Sequence, residues 1–164
     1  MSLKATIEQT QQAFADDPKA AWATVKTQSE LTDRFRSEIN IRHHELVIDE
    51  PPSLGGTDSG PNPIEMILAA LGSCQEITYR AFATAMGIPL TKISARVEGD
   101  IDFRGFFGVD DSVRAGYQQI RIVMDIESDA SDEQLAQLKQ AVDAHCPVLD
   151  MLANQVPVDA NLNR

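Results

Sequence analysis

Residues 62–86, NPIEMILAALGSCQEITYRAFATAM, decide the fold. Asn62 suits a helix N-cap, Pro63 suits the first helical position, and Glu65 can reach back to the cap backbone as in a capping box. The run from Met66 to Met86 is apolar nearly all round, which marks a buried central helix rather than a surface one. Met86-Gly87-Ile88-Pro89 ends it, since glycine suits a helix C-terminus and proline cannot continue the helix. Just before it, segment 51–63 (PPSLGGTDSGPNP) carries four Pro and three Gly and reads as a loop.

Working outward, the N-terminal side reads as a short polar helix over residues 4–16, with Ile7, Ala13 and Phe14 as a weak apolar face and Asp17-Pro18 as its end. Three short strands follow, around Trp22, Thr24 and Lys26, around Phe35, Ile39 and Ile41, and around Leu46, Val47 and Ile48. Short turns would join them in an antiparallel meander. On the C-terminal side Ile93, Ala95 and Val97, then Ile101 and Phe103, alternate with polar residues, as do Ile120, Ile122, Met124 and Ile126. Loop 104–116 lies between these strands. Ser131 opens a helix through the capping box SDEQ, with Leu135, Leu138 and Val142 inward. Cys146-Pro147 starts a short helix to about Leu152, and Val156 to Leu162 reads as a closing strand. The order α-βββ-α-ββ-αα-β is an α+β pattern.

The 164 residues are expected to form a single domain, 1–164, with residues 1–19 as an N-terminal helical extension. At 43% apolar and 24% charged the chain is too apolar for intrinsic disorder. Twenty-five acidic residues against 14 basic ones give a net charge of −11, which counts against nucleic-acid and membrane-surface partners. No run approaches the roughly 18 apolar residues of a membrane span, and the N-terminal residues MSLKATIEQTQQ lack an apolar signal core. A cytoplasmic protein is expected. Two cysteines are too few for a disulfide scaffold, so their chemistry would be redox or metal chemistry.

Cys74 lies on the apolar helix, where a free cysteine usually serves as small apolar filler. Cys146 stands directly before Pro147 at a helix start, where backbone N–H groups and the helix dipole favour a thiolate. His145 beside it would add to that effect when protonated, although a plain N-cap explains the position equally well. The weaker constellations have simpler readings. His43-His44-Glu45 looks like a metal fragment, but adjacent strand residues point to opposite faces. No CxxC, HxxxH or HExxH spacing supports zinc, the glycine-rich loop at 55–60 lacks a P-loop lysine, and no GxSxG marks a nucleophilic serine. Asp110-Asp111 reads as solvated charge in a hairpin loop.

Three fragments carry a resemblance. GGTDSGPNPIEMILAALGSC, AHCPVLDML and DFRGFFGVDDSVRAGYQQIRIVMDIESDAS together resemble the OsmC/Ohr family of osmotically inducible and organic hydroperoxide resistance proteins, from about Phe35 to the C-terminus. The resemblance implies antiparallel sheets wrapped around a long buried central helix, in an intertwined homodimer with active sites at the subunit interface. It implies a peroxiredoxin-like thiol peroxidase that takes an organic hydroperoxide as substrate and a thiol reductant as partner, with no cofactor and no metal. Carried over residue by residue, Cys74 is the peroxidatic thiol, Cys146 the resolving thiol and an Arg of the second strand the activating cation. Arg36 is preferred for that cation over Arg34 and Arg42, all three being read as sharing one strand face. Ala70, Leu71 and Ile77 would supply an apolar pocket around Cys74.

One position departs from the family pattern. The peroxidase members hold that Arg with a Glu immediately after the helix-opening Pro; here Ile64 occupies the position, and the glutamate follows at Glu65. At about 100° per residue, Glu65 and Cys74 point about 180° apart, and Glu65 is more simply a cap residue than a supporting one. The sequence thus keeps both sulfurs but not the full Arg–Glu arrangement, which predicts weak or altered peroxide turnover. The alternative is a non-catalytic dimer binding an apolar small molecule at its interface, with Cys74 as lining. A Cys/His metal site is the third reading.

Overall fold

The computed structural model describes residues 2–163, which form helices α1 (Leu3–Asp16), α2 (Pro63–Met86), α3 (Phe103–Phe106), α4 (Asp132–His145) and α5 (Pro147–Ala153) and strands β1 (Gln28–Asp33), β2 (Arg36–Ile41), β3 (His44–Ile48), β4 (Lys92–Ile101) and β5 (Tyr117–Glu127). The architecture is α+β with antiparallel sheets. It divides into two compact units, Met1–Ala69 and Ala70–Arg164, with the boundary inside α2.

In the first unit α1 is capped by Ser2, whose hydroxyl accepts the Ala5 N–H, and none of its residues is buried. Strands β1, β2 and β3 form the expected antiparallel meander, in the order β1-β2-β3. The first strand is not where the alternation of Trp22, Thr24 and Lys26 puts it, but begins at Gln28. Trp22 and Val25 are highly exposed, and the ladder with β2 begins only at Gln28, opposite Asn40, so alternation without a partner strand makes no strand here. Each hairpin turn has two residues, Arg34-Phe35 between the paired Asp33 and Arg36, and Arg42-His43 between the paired Ile41 and His44. Arg34 and Arg42 both have positive φ, 41° and 59°. They are turn residues, so the strand face assigned to them alongside Arg36 does not exist.

The loop after β3 is built on Asp49, only 1% exposed. Its carboxylate accepts the backbone N–H groups of Glu50, Thr57 and Ser59 and the hydroxyls of Thr57 and Ser59, at 2.7–3.1 Å. These bonds, led by that of the Thr57 hydroxyl, hold its pKa far below the ordinary carboxylate range. Gly56 and Gly60 let the backbone pass close by, since an added Cβ would fall 1.9 Å from the Glu50 carbonyl oxygen and 2.2 Å from that of Val47.

In the second unit β4 and β5 pair antiparallel over their full length. The core gathers Tyr79 and Ala83 of α2, Ile88, and Leu138 and Val142 of α4, with Phe82, Leu90, Ile93, Met124, Ile126, Ala130 and Leu135 packed against it. Gly72 brings α2 close to β4, where an added Cβ would meet Val97 Cγ2 at 3.3 Å and Ala95 Cβ at 3.5 Å. The Ala95 N–H donates to Glu76 Oε1 at 3.1 Å. Residues 70–86 of α2 are therefore covered on one side by the second unit, whereas Ala70, Ser73 and Ile77, at i, i+3 and i+7, stay exposed. Phe103 begins α3, capped by Asp102, instead of extending β4. Asp110 is more than solvated charge: it accepts the Ser112 N–H and hydroxyl and pairs with Arg104. Residues 156–162 form no strand. Pro157 removes a ladder donor, and Val156, Val158 and Leu162 stay exposed.

Candidate functional site

Proline creates the position of Cys146. The residue before a proline is pushed out of the helical region, and Cys146 (φ −75°, ψ 112°) is the single non-helical residue between α4 and α5. Its N–H still closes α4 on the Val142 carbonyl at 2.9 Å, and its carbonyl opens α5 by accepting the Asp150 N–H at 3.0 Å. The thiol is fully buried. It makes no cap hydrogen bond; it donates to Cys74 Sγ at 3.5 Å. Both cysteines are free thiols. A disulfide at about 2.05 Å requires the sulfurs to close by only about 1.5 Å.

Cys74 is partly buried, three residues after Leu71 on the α2 face that also bears Thr78. The Thr78 hydroxyl, itself buried, donates to the Cys74 carbonyl at 2.7 Å. Burial pushes the Cys74 thiol up, and the nearby Cys146 adds to this. The Val148 N–H at the start of α5 and the Thr78 hydroxyl act the other way, and the outcome is a raised pKa. Sequence reasoning missed Thr78 and Val148. A threonine four residues after a helical cysteine is the readable signal for the first, because i and i+4 share a face.

The other candidates lie in the first unit. Arg36 opens β2, and its guanidinium donates to Glu38 Oε1 at 3.3 Å, two residues along the same strand face. Arg36, Glu38 and Asn40 also line an open hollow of about 240 Å³ with residues of β3. Arg34 sits in the turn described above. Glu65 is engaged in the cap of α2: it accepts the Asn62 N–H at 2.8 Å while Asn62 Oδ1 accepts the Glu65 N–H at 2.8 Å. His43 and His44 place their rings 3.9 Å apart, because one belongs to a turn rather than to a strand. Among the described residues no three His, Cys, Asp or Glu side chains cluster as metal ligands would. His145 Nδ1 lies 2.7 Å from the Ala141 carbonyl, and its ring packs on Phe82.

A family model described as OsmC-like protein matches residues 56–161. The chain belongs to the OsmC-like family. No curated protein is significantly similar to it in sequence. Among solved structures, an OsmC-like protein from Mycoplasma pneumoniae superposes with a TM-score of 0.70 at 19% identity, covering 81% of this chain and 89% of that one. An organic hydroperoxide resistance protein OsmC from Legionella pneumophila gives 0.61 at 18% identity, with 80% and 90% covered. An organic hydroperoxide resistance protein from Elizabethkingia anophelis gives 0.59 at 16%, with 82% and 91% covered. At these identities the likeness is one of fold, and this OsmC-like chain shares the α+β arrangement of all three.

Proposed function

We propose that this OsmC-like protein is a thiol peroxidase that reduces organic hydroperoxides, with Cys74 as the attacking thiol and Cys146 as the resolving one. The observation that carries this reading is the 3.5 Å separation of the two free sulfurs. The Cys74 thiolate attacks the hydroperoxide oxygen distal to carbon; the O–O bond breaks, the alcohol leaves after taking a proton, and Cys74 becomes a sulfenic acid. The Cys146 sulfur then displaces water from the sulfenic acid, forming the disulfide, and an external dithiol reduces it by exchange while becoming a disulfide itself. Re-reduction of this kind fits a cytoplasmic setting.

The active protein in this reading is a single-domain homodimer. The exposed stripe of Ala70, Ser73 and Ile77 on α2 is the surface that supports a second copy. Arg36 is the cation proposed to serve Cys74 in that assembly, with Arg34 and Glu65 in secondary places. A second reading, a non-catalytic dimer that holds an apolar small molecule, is favoured by the burial that raises the Cys74 pKa.

One titration separates the two. Reduced protein treated with one equivalent of cumene hydroperoxide is expected to lose two titratable thiols and two hydrogens of mass, with C146S halting at a sulfenic acid and C74S consuming no peroxide. Retention of both thiols after stoichiometric peroxide overturns the peroxidase and leaves the binding reading.

A further inference from the structure

The two sulfurs differ in access. Cys146 is fully buried, and so are Leu138 and Val142 of α4, which pack with Tyr79 and Ala83 of α2. The Cys146 N–H is held by the Val142 carbonyl at 2.9 Å, and its carbonyl by the Asp150 N–H at 3.0 Å. A molecule from outside reaches its sulfur only if the junction of α4 and α5 lifts away and that core opens. Cys74 keeps part of its surface exposed, and the buried Cys146 Sγ lies 3.5 Å from its sulfur. Thiol–disulfide exchange depends on which sulfur is attacked and on access to it. Displacement at a divalent sulfur is also in-line, with the nucleophile arriving opposite the group that leaves.

We propose that the Cys74–Cys146 disulfide is reopened by attack on the Cys74 sulfur, with Cys146 as the leaving group. The inference rests on the reading that these two thiols form a disulfide, and it gives the reduction of that bond a direction. When Cys146 displaces the sulfenic oxygen, that oxygen departs from the side of Cys74 opposite Cys146. The reductant thiolate enters at the same place. One axis through Cys74 Sγ serves both steps, with Cys146 always at its buried end. A dithiol arrives as a monoanion; its thiolate bonds to Cys74 Sγ, and the protein S–S bond breaks with its electron pair on Cys146. Cys146 takes the proton of the dithiol's second thiol, which spares the buried sulfur a lasting charge. The thiolate so formed attacks the dithiol sulfur already joined to Cys74, closes a cyclic disulfide and releases Cys74 as a thiolate. The protein gains two electrons and one proton, and the dithiol loses them.

The test oxidises the protein with diamide rather than hydroperoxide, which separates it from the peroxidase step. Oxidised protein, freed of diamide, is exposed briefly to excess 2-mercaptoethanol, quenched with N-ethylmaleimide and digested with trypsin, and the Cys74 and Cys146 peptides are read by mass spectrometry. Mercaptoethanol on Cys74 with maleimide on Cys146 is expected to exceed the reverse arrangement by about tenfold or more, because reaching Cys146 needs a local opening. A second measurement covers loss of the adduct to re-closure of the disulfide. C146S and C74S are each loaded in denaturant as the 2-mercaptoethanol mixed disulfide, refolded, checked for a cooperative melt and stripped with dithiothreitol. C146S is expected to lose its adduct about tenfold faster or more. An adduct shared evenly between the cysteines or favouring Cys146, or C74S stripped as fast as C146S, overturns the proposal. If diamide leaves both thiols free, the disulfide itself falls and the peroxidase with it. If diamide closes the disulfide and hydroperoxide does not, only the peroxidase falls.

Discussion

Asp49 accepts five hydrogen bonds from Glu50, Thr57 and Ser59, so its ionised form is tied to the folded loop. Because its folded pKa is depressed, its contribution to stability is fully present above the unfolded value of about 3.9 and is lost as pH falls below that. Asp49→Asn is therefore expected to lower the urea midpoint at neutral pH and to flatten the acid limb, as urea melts between about pH 2 and pH 7 would show. In the second unit Leu138 is fully buried among Tyr79, Ala83, Ile88 and Val142. Leu138→Ala is expected to cost about 2–5 kcal/mol in a chemical melt. Leu138 was readable as a core residue from helical spacing alone. Asp49 was not, because nothing local distinguishes a buried aspartate from a solvated one until the loop folds over it.

At the scale of elements, the capping signals proved the most reliable, because they are satisfied within four residues. Asn62 and Glu65 exchange hydrogen bonds as the sequence implies, and Ser131 and Gln134 do the same at α4. Asn62→Ala is expected to lower stability by about 1 kcal/mol, with Asn62→Asp restoring most of it, measured by thermal melts. Elements that need a distant partner were read less well. The strand expected at Trp22–Lys26 begins instead at Gln28, the one expected over Val156–Leu162 is absent, and Phe103 leaves β4 for α3. Alternation supplies a face, but a strand exists only where another strand meets its N–H and C=O groups. The turn arginines make the same point, since Arg34 and Arg42 were assigned a strand face and two-residue hairpins took them out of it.

For the whole molecule, the apolar character of the second unit's part of α2 exceeds what that unit covers, and Ile77 remains 70% exposed. Burial of such a residue is worth about 1.5–3 kcal/mol, so the homodimer proposed above predicts that Ile77→Glu will yield a folded monomer by sedimentation while the parent sediments as a dimer. A parent that sediments as a monomer would remove the second copy from the site. The sequence by itself determined the α+β class, the central helix with its cap, the meander and the family, because each is written in local chemistry or in residues kept together along the chain. Only the tertiary structure decided that two sulfurs 72 positions apart meet at 3.5 Å, that Val148 attends one of them, and which arginines belong to turns. Those outcomes depend on how helices and strands pack and on which hydrogen-bond register the strands take, and a single sequence does not state either.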